Sequence, residues 1–408
     1  MKIIETHSIK RLLIFSYAFA PDSLVGARRM SALSKEFSSN NIITDVITVK
    51  NRYSSGLDDS VNSNHNIISR TKVFLPSTTD YRRDVYHRLK RRVLSLLRRA
   101  LFKHDVWEGW KFFATRAGLR LTKQHRYDAI IVTGPPFSSF LAAEKVSDSS
   151  GVPLILDYRD PWTGYNWGNK ARLKYTHVER RIISKAKAVV FCSTTMKSCF
   201  VKRFPEFANT PSAVITNGYY PFKGNRILAE ENSINIAHSG TLYGERTLTS
   251  LINPFAKLSA SYNKPLRVHH WGYIPNSESI LFAKAGLSKN LHLHSRVRHS
   301  DLMGYLAGAD VLFAQSGSDV SYALPYKIFD YMATGVPILA LTPPGSELAS
   351  FFERYAIGFT ADLNEPESIA TALAKCIDAG NSTPPEKLLW QHIGSNYIDF
   401  LTNCLPHD

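Results

Sequence analysis

Short apolar runs rich in β-branched residues alternate with helical stretches along all 408 residues of this chain, in two successive series. Strands separated by a dozen or more helix-forming residues cannot return as hairpins, so they pair in parallel through crossover helices. In the first series the strand candidates are residues 12–19, 43–49, 129–133, 154–158, 188–192 and 213–216, with helical stretches such as 28–38, 138–150 and 171–185 between them. A polar stretch after Pro221 precedes the second series, with strands expected at 234–238, 266–271, 291–294, 311–314 and 338–341 and helices at 248–261, 277–285 and 365–379. The expected fold class is α/β: two doubly wound, Rossmann-like domains facing a central cleft. Their bounds are 1–222 and 223–385, with a last helical segment, 386–408, able to cross back to the first domain.

Composition narrows the class further. Hydrophobic residues at 44% and charged residues at 21% are ordinary for a globular protein. No apolar run approaches the roughly 18–20 residues that span a bilayer. Lys10 and Arg11 followed by residues 12–20 imitate an export signal, but Pro21 directly after the apparent cut favours a first buried strand. Cys192, Cys199, Cys376 and Cys404 form no Cys-x-x-Cys pair and no zinc spacing, and read as reduced thiols. A cytoplasmic location follows as the expectation.

The net charge of +16 is concentrated. Nine Lys or Arg residues lie between Arg82 and Lys103, among them Arg91, Arg92, Arg98 and Arg99, against the single acid Asp84. Val85, Leu89, Val93, Leu96, Leu97, Ala100 and Leu101 recur at steps of three and four, which places them on one helical face. A basic amphipathic helix with Phe102, Trp107 and Trp110 nearby is suited to an anionic membrane surface, the alternative being a helix that packs on its own domain. Nothing else in the chain resembles a nucleic-acid module, so no nucleic-acid partner is expected. Residues 51–66, rich in Ser, Asn and Asp, read as a mobile loop.

Open parallel sheets bind ligands beyond the carboxyl ends of their strands, so the loops that follow strands hold the candidate residues. After the first strand, Gly26 stands near a helix start, where backbone N–H groups can approach an anion. The Gly-x-Gly-x-x-Gly fingerprint of redox dinucleotides is absent. Residues 133–138, Thr-Gly-Pro-Pro-Phe-Ser, read as a rigid wall contributing Pro135, Pro136 and Phe137, with Ser138 placed to cap the next helix. Residues 157–162, Asp-Tyr-Arg-Asp-Pro-Trp, crowd three charges at the end of an apolar strand. Asp157 and Arg159 share a strand face and suit an ion pair; together with Asp160 they also suit catalysis, one carboxylate orienting or deprotonating an acceptor hydroxyl.

In the second series, residues 237–246 end a strand and carry Gly240, Thr241 and Arg246, glycine for space and arginine as a fork-shaped cation for phosphate. His238 alone reads as a core residue. Residues 324–340 concentrate the strongest pattern: Tyr326, Lys327, Asp330 and Tyr331 at helical spacing, then Gly335-Val336-Pro337 ending the helix. Lys327 falls in the first turn, where it does not complement the helix dipole, and a phosphate ligand explains that placement.

With these blocks in place, the chain resembles the retaining glycosyltransferases of family 4, which have the GT-B fold. The resemblance runs from the loop after the first strand through residues 133–138, 157–162, Ile-Thr-Asn-Gly-Tyr at 215–219, 238–246 and 324–340. It implies a nucleotide-sugar donor held mainly by the second domain, through Gly240, Thr241, Arg246, Tyr326, Lys327 and Asp330, with Gly26 of the first domain also donor-binding. It also implies an acceptor on the first domain, near Pro135, Pro136, Phe137 and Trp162. Asp330 matches the second carboxylate of the family's Glu-x7-Glu motif, which holds the ribose, and Arg246 and Lys327 fall where the diphosphate is bound. Asp157, Arg159, Asp160, Arg246 and Lys327 are the catalytic candidates. Two departures stand out: Tyr322 replaces the first glutamate of that motif, and Thr241 replaces a phosphate-binding arginine. The reaction implied is transfer with retention to a glycan or lipid-linked acceptor, as in polysaccharide or O-antigen assembly. No metal or other cofactor is expected, since no Asp-x-Asp triplet occurs. A nucleotide-sugar epimerase and a non-catalytic sugar-nucleotide or lipid-surface binding protein are the competing readings.

Overall fold

The computed structural model describes residues 9–51, 67–74, 93, 95–97, 101–102, 104–163, 170–242, 246–258 and 261–405. The chain divides into two compact units: Met1–Thr216 with Trp390–Asp408, and Asn217–Leu389.

The first unit carries β1 (Arg11–Phe15), β2 (Ile43–Val49), β3 (Ile67–Thr71), β4 (Ala129–Gly134), β5 (Leu154–Tyr158), β6 (Ala188–Phe191) and β7 (Ser212–Val214). They form one parallel sheet in the order β3-β2-β1-β4-β5-β6-β7. Its helices are α1 (Val25–Ser39), α2 (Lys111–Gln124), α3 (Ser138–Ser150), α4 (Thr176–Lys185), α5 (Thr194–Arg203) and, from the end of the chain, α12 (Trp390–Cys404). Every residue of β4, β5 and β6 is buried, as expected of parallel strands covered on both faces.

The second unit carries β8 (Ile234–Ser239), β9 (Leu266–Trp271), β10 (Leu291–His294), β11 (Val311–Gln315), β12 (Ile338–Leu341) and β13 (Gly358–Ala361). The order is β10-β9-β8-β11-β12-β13, again all parallel. Its helices are α6 (Ile252–Leu258), α7 (Asn276–Lys284), α8 (His299–Ala307), α9 (Lys327–Thr334), α10 (Glu347–Tyr355) and α11 (Pro366–Ala379). An apolar core runs through Ile236, Phe255, Val268, Phe313, Leu339 and Leu373.

Both sheets are therefore doubly wound, and both reverse strand order next to their first strand: between β1 and β4, and between β8 and β11. Two strands escape the sequence pattern. Strand β3 lies at a sheet edge, and β13 is an edge strand of four residues that opens on a glycine. At Gly358 φ is +152° and a Cβ would stand 2.2 Å from Ile338 O, so this strand needs a residue that dilutes any β signal.

Candidate active site

The second unit's reversal point brings the end of β8 beside the segment after β11 that leads into α9. Strand β8 ends at Ser239, and Gly240 turns the chain with φ +110°. Its neighbour on β9 also ends in a glycine: at Gly272 φ is +142°, and a Cβ there would stand 2.1 Å from Gly240 O. Two glycines thus let two strand ends close on one another, as the close approach requires.

Helix α9 opens at Lys327, whose side chain reaches back to the end of β8. Lys327 Nζ donates to Ser239 O at 2.7 Å and lies 3.1 Å from His238 Nε2. Gly240 lets the amine approach the turn closely, since a Cβ there would stand 3.2 Å from Nζ. One turn further, Tyr331 OH accepts from Ser239 N at 3.0 Å, fastening the helix to the strand end. Gly335, at φ +73°, ends the helix in the left-handed conformation that the Gly-Val-Pro sequence implies.

Arg246 is placed by its neighbours. Thr247 N donates to Gln315 Oε1 at 3.0 Å, and Leu248 N donates to Glu278 Oε2 at 2.8 Å. The Thr247 hydroxyl also donates to Glu278 at 2.7 Å. Gln315 and Glu278 are both buried, so they clasp the segment from inside the sheet and from α7. The helix expected directly after Arg246 starts later, as a 3-10 turn at Thr249–Leu251 before α6.

Positive charge accumulates here, Arg246 standing near Lys327. Among the described residues no carboxylate lies within ion-pair distance of Lys327. Burial, reinforced by nearby Arg246, pushes its amine down to about 7. His238 falls well below the ordinary histidine value through burial, then Lys327, His270 and Arg246. Asp330, part-exposed on α9, has Oδ2 3.2 Å from His299 Nε2 on α8. Thr241 is exposed and Tyr326 half-buried, while Tyr322, in the family's glutamate position, is only 1% exposed.

His270 is the residue that sequence reasoning passed over. It is the register partner of His238 on β9, and their Nδ1 atoms are 2.8 Å apart. The available signal was the paired endings His238-Ser239 and His270-Trp271 on strands that the pattern already made neighbours.

The first unit uses its strand ends differently, and several expectations change. Asp157 is fully buried and pairs not with Arg159 but with Arg29 of α1, Nη2 to Oδ2 at 2.8 Å and Nε to Oδ1 at 3.1 Å. Thr133 Oγ1 donates to Oδ1 at 3.0 Å, Tyr397 OH donates to Oδ2 at 3.3 Å, and Arg29 Nη1 donates to Thr216 O at 2.9 Å. With no exposed atom, Asp157 offers nothing to an acceptor hydroxyl; its place is structural. Strand β5 stops at Tyr158, so Arg159 leaves the shared face and donates from Nη2 to Pro135 O.

Phe137 and Trp162, expected against an acceptor, are core residues at 4% and 1% exposure. Their rings stack 5.2 Å apart, and Phe140 and Tyr158 pack around them. Pro136 is buried too, leaving Pro135 as the part-exposed member of that group. Ser138 does not cap α3; Asp105 does, accepting from Ser138 N at 2.7 Å and from its hydroxyl at 2.8 Å. What does assemble at the first unit's reversal point is Gly26, Pro135, Arg159 and Asp160. The Arg159 guanidinium lies so close to Gly26 that a Cβ would stand 2.4 Å from Nη1, and Asp160 acts on it electrostatically. Arg91, Arg92, Arg98 and Arg99 lie outside the described residues, as does most of the loop at 51–66.

Two doubly wound sheets, with a cationic turn at the second one's reversal point, define a class that comparison with known proteins makes specific. Residues 69–218 match the glycosyl transferase 4-like domain, and residues 233–379 match the glycosyl transferases group 1 domain. The chain belongs to the GT-B glycosyltransferases. No curated protein sequence matches it. Among solved structures it is similar to a glycosyltransferase from Rickettsia africae at 14% identity and TM-score 0.59, covering 98% of this chain and 95% of that one. It is similar to the lipopolysaccharide outer core galactosyltransferase WaaB at 12% identity and TM-score 0.57, covering 97% and 100%. An Escherichia coli structure titled as trehalose-6-phosphate bound with UDP-2-fluoro glucose aligns at 12% identity and TM-score 0.63, covering 97% and 98%. At such identities the likeness is one of fold.

Proposed function

We propose that this chain transfers a sugar, with retention at the anomeric carbon, from a nucleoside-diphosphate donor held by the second unit to a glycan or lipid-linked acceptor. The observation that carries this reading is Lys327, an amine fixed at the reversal point against the Gly240 turn with Arg246 near it; among the described residues no carboxylate lies within ion-pair distance of Lys327. Departure of a nucleoside diphosphate builds negative charge on its oxygens, and cations already in place lower that barrier without reorganising. Lys327 and Arg246 meet that charge, and the reaction needs no metal. Asp330 accepts the ribose hydroxyls, and Tyr326, Gly240 and Thr241 line the donor. UDP is the first nucleotide to try, because a structural relative holds a UDP-sugar.

The test is a thermal-shift panel of nucleotide sugars, followed by assay of nucleoside diphosphate release with glycan acceptors. A donor at 100 times its dissociation constant should stabilise the protein by about 2.7 kcal/mol. A donor that binds but never releases nucleoside diphosphate with any acceptor would favour the binding-protein alternative, and free epimerised sugar would favour the epimerase.

Exposed apolar side chains support a membrane-side acceptor. Among the described residues Val93, Leu96, Leu97 and Leu101 are 44–65% exposed, and Trp107 and Phe112 are exposed as well. No helix among the described residues is long and apolar enough to cross a membrane. In our reading the stripe and the basic residues around it rest on an anionic inner-membrane face, where each basic residue adds about 1 kcal/mol. Neutralising Arg91, Arg92, Arg98 and Arg99 together should move the protein from sedimented anionic vesicles to the supernatant; unchanged sedimentation would refute the membrane role.

A further inference from the structure

Lys327 ends a line of three nitrogen-bearing side chains. Its Nζ lies 3.1 Å from His238 Nε2, and His238 Nδ1 lies 2.8 Å from His270 Nδ1. Each link needs one hydrogen, and the line can be filled in either direction. In one filling, His270 Nδ1–H donates to His238 Nδ1, and His238 Nε2–H donates to the lone pair of an uncharged Lys327 amine. In the other, a Lys327 ammonium donates to His238 Nε2, His238 Nδ1–H donates to His270 Nδ1, and the hydrogen of His270 sits on Nε2. Both histidines are neutral in both fillings. The second filling holds one proton more, and that proton is on Lys327.

The surroundings separate the two states. An ammonium has three N–H groups, and the site supplies two acceptors, Ser239 O and His238 Nε2. Among the described residues the third N–H finds no partner, and the charged filling also places an N–H on His270 Nε2, a buried atom with no hydrogen-bond partner. Among the described residues, the charged and titratable groups that act on this line are Arg246 from the segment after β8 and His294 from β10, with Tyr331 of α9 bonded to Ser239; β11 presents the ring of Phe313. Burial and Arg246 bring the amine down to about 7, and burial with Lys327 brings His270 down to about 4. An empty site in mildly alkaline solution therefore favours the uncharged filling.

We propose that a nucleoside diphosphate enters this site together with one proton, its phosphate oxygens drawing Lys327 into the ammonium form while His238 and His270 invert their hydrogen bonds. Each histidine ends neutral as it began, and the added proton is carried by Lys327. The two histidines are positioning residues for this cation. The inference rests on the donor-site reading above and deepens it: the cation that meets the leaving diphosphate is charged by the ligand's arrival.

Calorimetric titration of the full chain at pH 8 with UDP, GDP and ADP, each in buffers of different ionisation enthalpy, measures the protons taken up per ligand bound. Uptake close to one proton is expected for the wild-type protein. Uptake near zero is expected for Lys327→Arg, whose guanidinium is charged beforehand. In parallel, side-chain nitrogen shifts from 15N-histidine-labelled protein should show the hydrogen of His238 moving from Nε2 to Nδ1 at ligand saturation. His238→Asn assigns that signal, and His270→Asn serves if the first variant does not fold. Binding without proton uptake, uptake unchanged in Lys327→Arg, or an unmoved His238 hydrogen would each overturn the proposal while leaving the donor site standing. Failure of all three nucleotides to bind would instead overturn the donor-site reading, and this inference with it.

Discussion

The two units share a strand plan and differ in what they do with charge at its turning point. In the first, the buried cation Arg29 is met by the buried anion Asp157, and Thr133, Tyr397 and Thr216 complete the network. In the second, Lys327 is met by a carbonyl and a neutral imidazole, with Arg246 adding repulsion. A closed ion pair holds structure, because every partner it needs is already inside. A cation lacking its anion is poorly satisfied until a ligand brings one. The same topology therefore makes a brace in one unit and a receptor in the other.

The comparison breaks most readily by exchanging the roles. Asp157→Asn leaves Arg29 charged, buried and without its anion, which costs about 3–5 kcal/mol. A large fall in the urea midpoint is expected, with nucleotide affinity of the surviving folded protein unchanged. Lys327→Ala should do the reverse. Turnover drops by about 10²–10³-fold, the cost of removing one preorganised group facing a developing anion, while the melting temperature holds or rises. An Asp157→Asn protein as stable as wild type but inactive would return Asp157 to the reaction.

Much of this contrast was open to reading before any coordinates. Alternating period, apolar strands and the position of the Pro-Tyr-Lys block on a helix start all depend on local sequence, and the sheets and α9 follow them. The role of Asp157 was not legible, because its partner Arg29 is 128 residues away on a helix whose pattern gives no hint of which side chain turns inward. Spacing suggested Arg159 instead, but the strand ends at Tyr158, as its pattern implies, and Arg159 lies beyond the face that Asp157 occupies. Phe137 and Trp162 misled for a related reason: aromatic residues beside a Pro-rich loop look alike whether they face solvent or one another. His270 was hidden because a single histidine at a strand end carries no meaning until register sets it beside His238.

Acid sharpens the same comparison with a smaller effect. His269 and His270 in the second unit are lowered to about 4, mainly by burial, whereas an unfolded histidine titrates near 6.5. Between those values the unfolded chain binds more protons than the folded one, so their contribution is intact above about pH 6.5 and is lost as pH falls towards 4. The loss is on the order of 2 kcal/mol per histidine by pH 5. In the first unit Glu179 is raised to about 7 by burial, hydrogen-bonded by Tyr158 and Thr163. Its folded form binds the extra proton, so its contribution is complete below about 4.5 and lost as pH rises through 7. Hydrogen exchange at pH 5 against pH 7, corrected for intrinsic rates, should show β8 and β9 opening more readily while β5 and β6 do not. Uniform loosening of both sheets would mean that the two units share one acid response.

The smallest effect concerns the last helix, which returns to the first unit and supplies one member of its brace. Tyr397 packs edge-on against Phe37 with ring centres 5.5 Å apart, and its hydroxyl donates to Asp157. Tyr397→Phe keeps the packing and removes a 3.3 Å hydrogen bond, so about 1 kcal/mol of stability should be lost. The informative measurement is a double-mutant cycle with Asp157→Asn. If α12 contributes through the carboxylate, Tyr397→Phe should cost clearly less in the Asp157→Asn background, because a neutral amide is a weaker acceptor than the anion. Equal costs in both backgrounds would assign the helix to packing alone, and the brace would then consist of Arg29, Asp157, Thr133 and Thr216 without help from the end of the chain.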